Sequence, residues 1–214
     1  MEVKRREIYR YMGLGNREPE ERIREMTEQC VEELERAVNP RFFSRTFPLT
    51  LLPGDCLDFS CFQTKSKNLS KNLKDCDRVI LFAATLGTGV DLLIRRYSRL
   101  EMSRALMMQA VGAAMIEAFC DEENERLKEE FLRQGYYLRP RFSPGYGDFP
   151  LSVQKDMVRV LETEKRVGIT LTDSLLMVPS KSVTAVIGAG LRECGCRTSG
   201  CEACGSRECP YRRS

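Results

Sequence analysis

The sequence predicts an α+β protein, with long helices packed on a mainly antiparallel sheet and a short Cys-rich tail at the C-terminus. Three observations carry that reading. Apolar residues recur at spacings of three and four over long stretches, including one unbroken run from Ser103 to Arg133. The continuous apolar segment Val79-Ile80-Leu81-Phe82-Ala83-Ala84 has the character of a strand buried on both faces. Helical and strand segments do not alternate regularly, which argues against a doubly wound sheet.

In chain order, residues 3–12 form a short helix ended by Gly13 and Gly15. A clearer helix runs from Glu18 to Val38, with Pro19 and acidic residues in its first turn. Ile23, Met26, Cys30, Leu34 and Val38 make its apolar stripe, and Asn39-Pro40 stops it. Phe42 to Leu52 is β-branched and aromatic and ends at the turn Pro53-Gly54-Asp55. Cys56 to Phe59 is a short strand, and Ser66 to Leu73 a lysine-rich helix. The buried strand spans Arg78 to Leu86; Gly87 and Gly89 then turn the chain into a helix through Leu92, Leu93 and Ile94. The long helix from Ser103 to Arg133 would span on the order of 45 Å at ~1.5 Å per residue. Tyr136 to Arg141 is extended, Pro144 to Pro150 is a loop, and Val153 to Val167 is a helix ended by Gly168. Strands Leu175–Val178 and Val183–Ile187 close the domain.

The ten cysteines are unevenly spread. Cys30, Cys56, Cys61, Cys76 and Cys120 are scattered, whereas Cys194, Cys196, Cys201, Cys204 and Cys209 crowd into the last 21 residues. This break places a boundary near Gly188–Gly190, with a domain over 1–189 and a tail over 190–214.

Composition limits the chemistry. Among 214 residues there are 34 basic and 31 acidic side chains, a net charge of +3, and neither histidine nor tryptophan. The absent histidine excludes Ser-His-Asp and Cys-His nucleophiles and any imidazole base or ligand from this chain. The small net charge gives no reason to expect nucleic acid or an anionic membrane as partner. No apolar run is long enough to span a bilayer and none follows the basic N-terminus as in a signal peptide, so the expected location is cytoplasmic, where thiols stay reduced.

Three features could carry chemistry. Glu117 interrupts the nearly all-apolar run from Ala105 to Cys120. Ionised and unpaired in such a place, it would cost several kcal/mol, so it needs a cation, donors or its proton, unless it lies at the stripe's edge facing water. The loop Arg141-Phe142-Ser143-Pro144-Gly145-Tyr146-Gly147-Asp148-Phe149-Pro150 combines a guanidinium fork, stiffening prolines, bare glycine backbone and an aromatic ring. That set suits an amino-acid or nucleoside-like ligand, and equally a tight turn carrying a surface arginine. In the tail, five thiols within sixteen residues are too dense for core packing. Cys196, Cys201, Cys204 and Cys209, with Cys194 as a fifth candidate, fit a tetrahedral zinc or an iron–sulfur cluster, against the plainer reading of a reduced or redox-active tail. Gly87-Thr88-Gly89 lacks the full glycine fingerprint of a phosphate loop. Met107, Met108 and Met115 read as core, and Lys65, Lys67, Lys71 and Lys74 as a solvated face.

The Arg141–Pro150 run resembles the Arg-x-x-Pro-Gly-Tyr-x-x-x-Pro motif of the activation domain of cobalamin-dependent methionine synthase. Glu164-Lys165, then Gly168 and Leu171-Thr172-Asp173-Ser174, Met177-x-Pro179, Ser182-Val183 and Ile116-Glu117-Ala118 are similar to further stretches of that family, in order, across residues 105–187. The resemblance implies that the domain binds S-adenosylmethionine. Arg141 would hold the methionyl carboxylate, Pro144, Gly145 and Tyr146 would line the ligand, and Glu117 would meet its polar groups. It further implies a role in reductive reactivation, converting cob(II)alamin to methylcobalamin with one electron from a flavodoxin- or ferredoxin-type donor. The family's cobalt ligand is a histidine, and this chain has none. The expectation is therefore an activation subunit acting on cobalamin carried by a partner methionine synthase chain. The rival readings are a reactivator of another corrinoid methyltransferase, or a non-catalytic metal-containing interaction module. The family's usual Tyr-Tyr strand beyond Ile187 is replaced here by the cysteine tail.

Overall fold

A computed structural model of the protein describes residues 2–193 apart from Asn16. Its centre is a four-stranded sheet, all antiparallel, in the order β1 (Arg41–Pro48), β5 (Arg78–Thr85), β9 (Ser182–Gly190) and β6 (Tyr137–Leu138). The two inner strands are covered on both faces, which is why their sequences read as continuous apolar runs rather than alternating ones.

The two faces are dressed differently. Ile80, Phe82 and Ala84 of β5, with Ala185, Ile187 and Ala189 of β9, meet a helical layer. That layer comprises α1 (Arg5–Tyr11), α2 (Glu21–Ala37), α4 (Gly89–Leu100) and α5 (Met102–Arg133). Val79, Leu81, Ala83 and Val186 face the other way, into a second core. There they meet α3 (Lys67–Asn72), α6 (Gln154–Leu161) and a small sheet of β2 (Thr50–Leu52), β3 (Cys56–Asp58) and β4 (Gln63–Lys65). The domain is thus three layers around one sheet, an α+β arrangement as the sequence predicts.

α2 buries Thr27, Cys30, Val31 and Leu34, the i, i+3, i+4, i+7 stripe of an amphipathic helix. α5 buries most of its first half, Ala105 to Ile116, because that half crosses the sheet between other helices. Beyond Cys120 only Leu127 and Phe131 stay buried, and the helix carries charge on its remaining faces.

Three details depart from the sequence expectation. The stretch 42–52 is two strands, because Leu49 is buried and its N–H donates to the Asp77 carbonyl (2.9 Å) where the chain passes from one sheet to the other. The helix expected over 153–167 begins with a 3₁₀ turn and breaks at Glu162, whose φ is 50°, before the short α7 (Thr163–Arg166). The strands β4 and β7 (Thr170–Leu171) are absent from the sequence reading. Strands of three and two residues carry no alternation to detect; β7 pairs with β8 (Met177–Val178). No helix among the described residues is long and apolar enough to cross a membrane.

Candidate functional site

The site grows from an irregularity at the sheet edge. Tyr137 and Leu138 pair with Gly190 and Ala189, and the Arg139 N–H donates to the Gly188 carbonyl (2.8 Å). Phe142 pairs with Val186 through two bonds of 2.8 and 2.9 Å, one residue out of that register. The extra residue falls at Pro140, which has no N–H to contribute to a ladder. A one-residue insertion exchanges the two faces for everything that follows. Leu138 packs on the helical side and Arg139 lies over Gly188 beside Leu73 and Cys76; Phe142 belongs to the second core, while Arg141 reaches α5. Without the bulge Arg141 would point away from that helix.

On α5, Glu117 and Asp121 sit one turn apart on the same side. The Arg141 Nη2 donates to Glu117 Oε2 at 2.6 Å and lies 2.8 Å from Asp121 Oδ1. The guanidinium is largely covered, with 18% of its side chain exposed, against 31% for Glu117 and 57% for Asp121. Burial works to lower the Arg141 pKa, but the two carboxylates outweigh it and keep the group above its ordinary value. Its Nη1 is buried and has no hydrogen-bond partner among the described residues. One arm of the fork is therefore committed to carboxylates of the protein and the other remains to be satisfied. Next to it the Cys120 thiol is pushed up to about 12 by burial, which makes it an inert neighbour rather than a nucleophile.

The loop that follows is held rigidly. Pro144 and Phe149 are buried, and the Gly145 N–H donates to the Phe149 carbonyl (2.9 Å) at a φ of 91° that favours glycine. Asp148 pins the loop to the start of α3. Its carboxylate accepts from Ser66 Oγ (2.6 Å), the Lys67 N–H (2.8 Å) and the Asn68 N–H (3.1 Å). Tyr146 is left 66% exposed, its ring edge-on to Phe142.

Of the residues singled out in the sequence, Glu117 and Arg141 are brought into direct contact, and Pro144, Gly145 and Tyr146 follow in one turn. Glu117 is neither buried alone nor simply facing water; Arg141 is its partner. Asp121 and Asp148 escape sequence reasoning. Asp121 could have been found as i+4 to Glu117, but it begins a run of acidic residues that reads as a solvated face. The candidate metal ligands Cys194, Cys196, Cys201, Cys204 and Cys209 lie outside the described residues. Within the described residues no group of three or more acidic or thiol side chains could hold a metal ion, and Cys30, Cys56, Cys61 and Cys120 carry no disulfide.

A family model for the activation domain of vitamin B12 dependent methionine synthase matches residues 67–193, more than half of the chain, including Glu117, Asp121 and the whole Arg141–Pro150 loop. A crystal structure of the MetH reactivation domain bound to AdoHcy shares the fold, with a TM-score of 0.66 and 21% sequence identity. The match covers 90% of this chain and 75% of that one. The chain belongs to the family of vitamin B12 dependent methionine synthase activation domains.

Proposed function

We propose that this domain binds S-adenosylmethionine on the Arg141 loop and presents its methyl group during the reductive reactivation of methionine synthase. The observation that carries the reading is the half-committed Arg141 guanidinium facing two partly exposed carboxylates. One guanidinium and two carboxylates sum to −1. S-adenosylmethionine brings a carboxylate, an ammonium and a sulfonium, which sum to +1. The free arm of Arg141 suits the ligand's carboxylate, and Glu117 and Asp121 suit its cations. The bare backbone at Gly145 and the exposed ring of Tyr146 suit a nucleoside. The related domain bound to AdoHcy supports this ligand class.

In the reaction one electron reduces cob(II)alamin to cob(I)alamin. The sulfonium carbon–sulfur bond then breaks as methyl passes to the cobalt, leaving S-adenosylhomocysteine. No proton is transferred, so the step calls for no imidazole, and this chain's residues contribute binding and orientation. The 214 residues contain no histidine for the cobalt, so its imidazole ligand comes from outside them, on a methionine synthase polypeptide. The cysteine tail extends the proposal. Cys196, Cys201, Cys204 and Cys209, with Cys194 in reserve, have the density and spacing for a zinc or an iron–sulfur cluster, and a cluster there would pass on the electron from a flavodoxin- or ferredoxin-type donor.

The test is reactivation itself. Anaerobically purified protein is mixed with a cob(II)alamin methionine synthase lacking its own activation domain, a one-electron reductant and methyl-labelled S-adenosylmethionine. Labelled methylcobalamin should form only when this chain is present, and Arg141→Ala should slow its formation at least tenfold. No label transfer with the wild type, or transfer only to a different corrinoid protein, contradicts the reading. The visible spectrum of the same preparation separates an iron–sulfur tail from a colourless zinc one.

A further inference from the structure

A second polar feature lies elsewhere on α5, where the binding site above has no part. Gln109 is eight residues before Glu117, about 12 Å along the helix axis. Its side-chain oxygen accepts from Lys181 Nζ at 2.7 Å. The lysine stem is laid across Gly112, where a Cβ would stand 2.9 Å from Val90 Cγ1 and 3.1 Å from the lysine Cε, so glycine leaves room for both side chains. The acid whose field Lys181 feels is Asp91, and both Asp91 oxygens are taken by Ser180, one by its N–H (2.9 Å) and one by its hydroxyl. Among the described residues no carboxylate comes within ion-pairing distance of Lys181. Burial holds its pKa below the usual lysine value, the response of an ammonium short of a counter-ion.

Lys181 and Gln109 stand beside Tyr11, Leu106, Ala110 and Ala113 around a cleft of about 280 Å³ between α1 and α5. Leu106 is 62% exposed on its rim. We propose that this cleft binds a small carboxylate with an apolar or aromatic body, its carboxylate on Lys181 and Gln109 and its body against Tyr11, Leu106 and the two alanines. Such a ligand completes what the cleft lacks on each side. It supplies the missing counter-ion and covers an exposed leucine, while Gln109 can turn its amide to donate. The volume is at the low end for ligand sites and restricts the body to roughly one ring or a short alkyl chain.

Phenylacetate is the probe, with phenylacetamide as its neutral isostere. Each is titrated into the protein while amide resonances of α5 are followed by NMR. Phenylacetate should shift the amides around Gln109–Ala113 saturably and bind at least fivefold tighter than phenylacetamide. Lys181→Met should remove that preference and Lys181→Arg should keep it. Ala113→Leu, which fills the cleft without touching the charge, should abolish binding of both. Arg141→Ala should leave phenylacetate binding unchanged, which separates this proposal from the S-adenosylmethionine reading. Equal binding of the two probes, no binding by folded wild type, or an unaltered preference in Lys181→Met would overturn it.

Discussion

Asp148 is exposed, yet three donors at the start of α3 converge on its carboxylate. The Ser66 hydroxyl, before the backbone N–H groups, holds its pKa below the ordinary carboxylate value. The unfolded chain therefore binds this proton more readily than the folded one. The stability that Asp148 contributes is present above the unfolded pKa, about 3.9, and is lost as pH falls through the lower folded value. Asp148→Asn should accordingly be less stable than wild type at neutral pH, with the gap closing as pH falls below about 4; chemical denaturation at a series of pH values checks this. Asp148 was not legible in the sequence, because its partners lie some eighty residues earlier. Glu117 and Arg141 were legible as groups that need partners. That each is the other's partner was not, since it depends on the bulge at Pro140, and no local pattern announces a bulge.

At the scale of elements, β5 shows why its sequence was easy to read and the flanking segments were not. From Val79 to Thr85 every residue is buried, the even positions against the helical layer and most odd ones against the second core. A continuous apolar run is the direct imprint of that position. β6, at the edge, has two paired residues and a bulge, so the stretch from Tyr136 to Arg141 reads as extended but carries no alternation that would set the strand's bounds or reveal the bulge. The break in the 153–167 helix was hidden because periodicity persists across it: Met157, Leu161 and Val167 all remain in the core. The prediction for this scale is Leu81→Ala. Leu81 is wholly buried in the second core, so the substitution should cost ~2–5 kcal/mol, measurable as a lowered denaturation midpoint with an unchanged far-ultraviolet spectrum.

For the molecule as a whole, the sheet separates two cores, and the Arg141 loop stitches them together. Its ion pairs reach α5 on the helical side, Phe142 and Phe149 pack in the second core, and Asp148 caps α3 there. This explains how a short loop can present a guanidinium, a bare backbone and an aromatic ring in a fixed geometry, which the proposed orientation of the methyl donor would use. The measurement that tests this most directly is calorimetric titration of S-adenosylmethionine into wild type and Arg141→Ala, with circular dichroism showing that both are folded. On the proposed role of Arg141 as holder of the ligand's carboxylate, removing its guanidinium should forfeit charge-assisted bonds of roughly 1.5–3 kcal/mol each. Saturable binding to wild type and affinity at least tenfold weaker in Arg141→Ala is the result expected. Equal affinity for the two proteins, or no binding by either, would contradict the account.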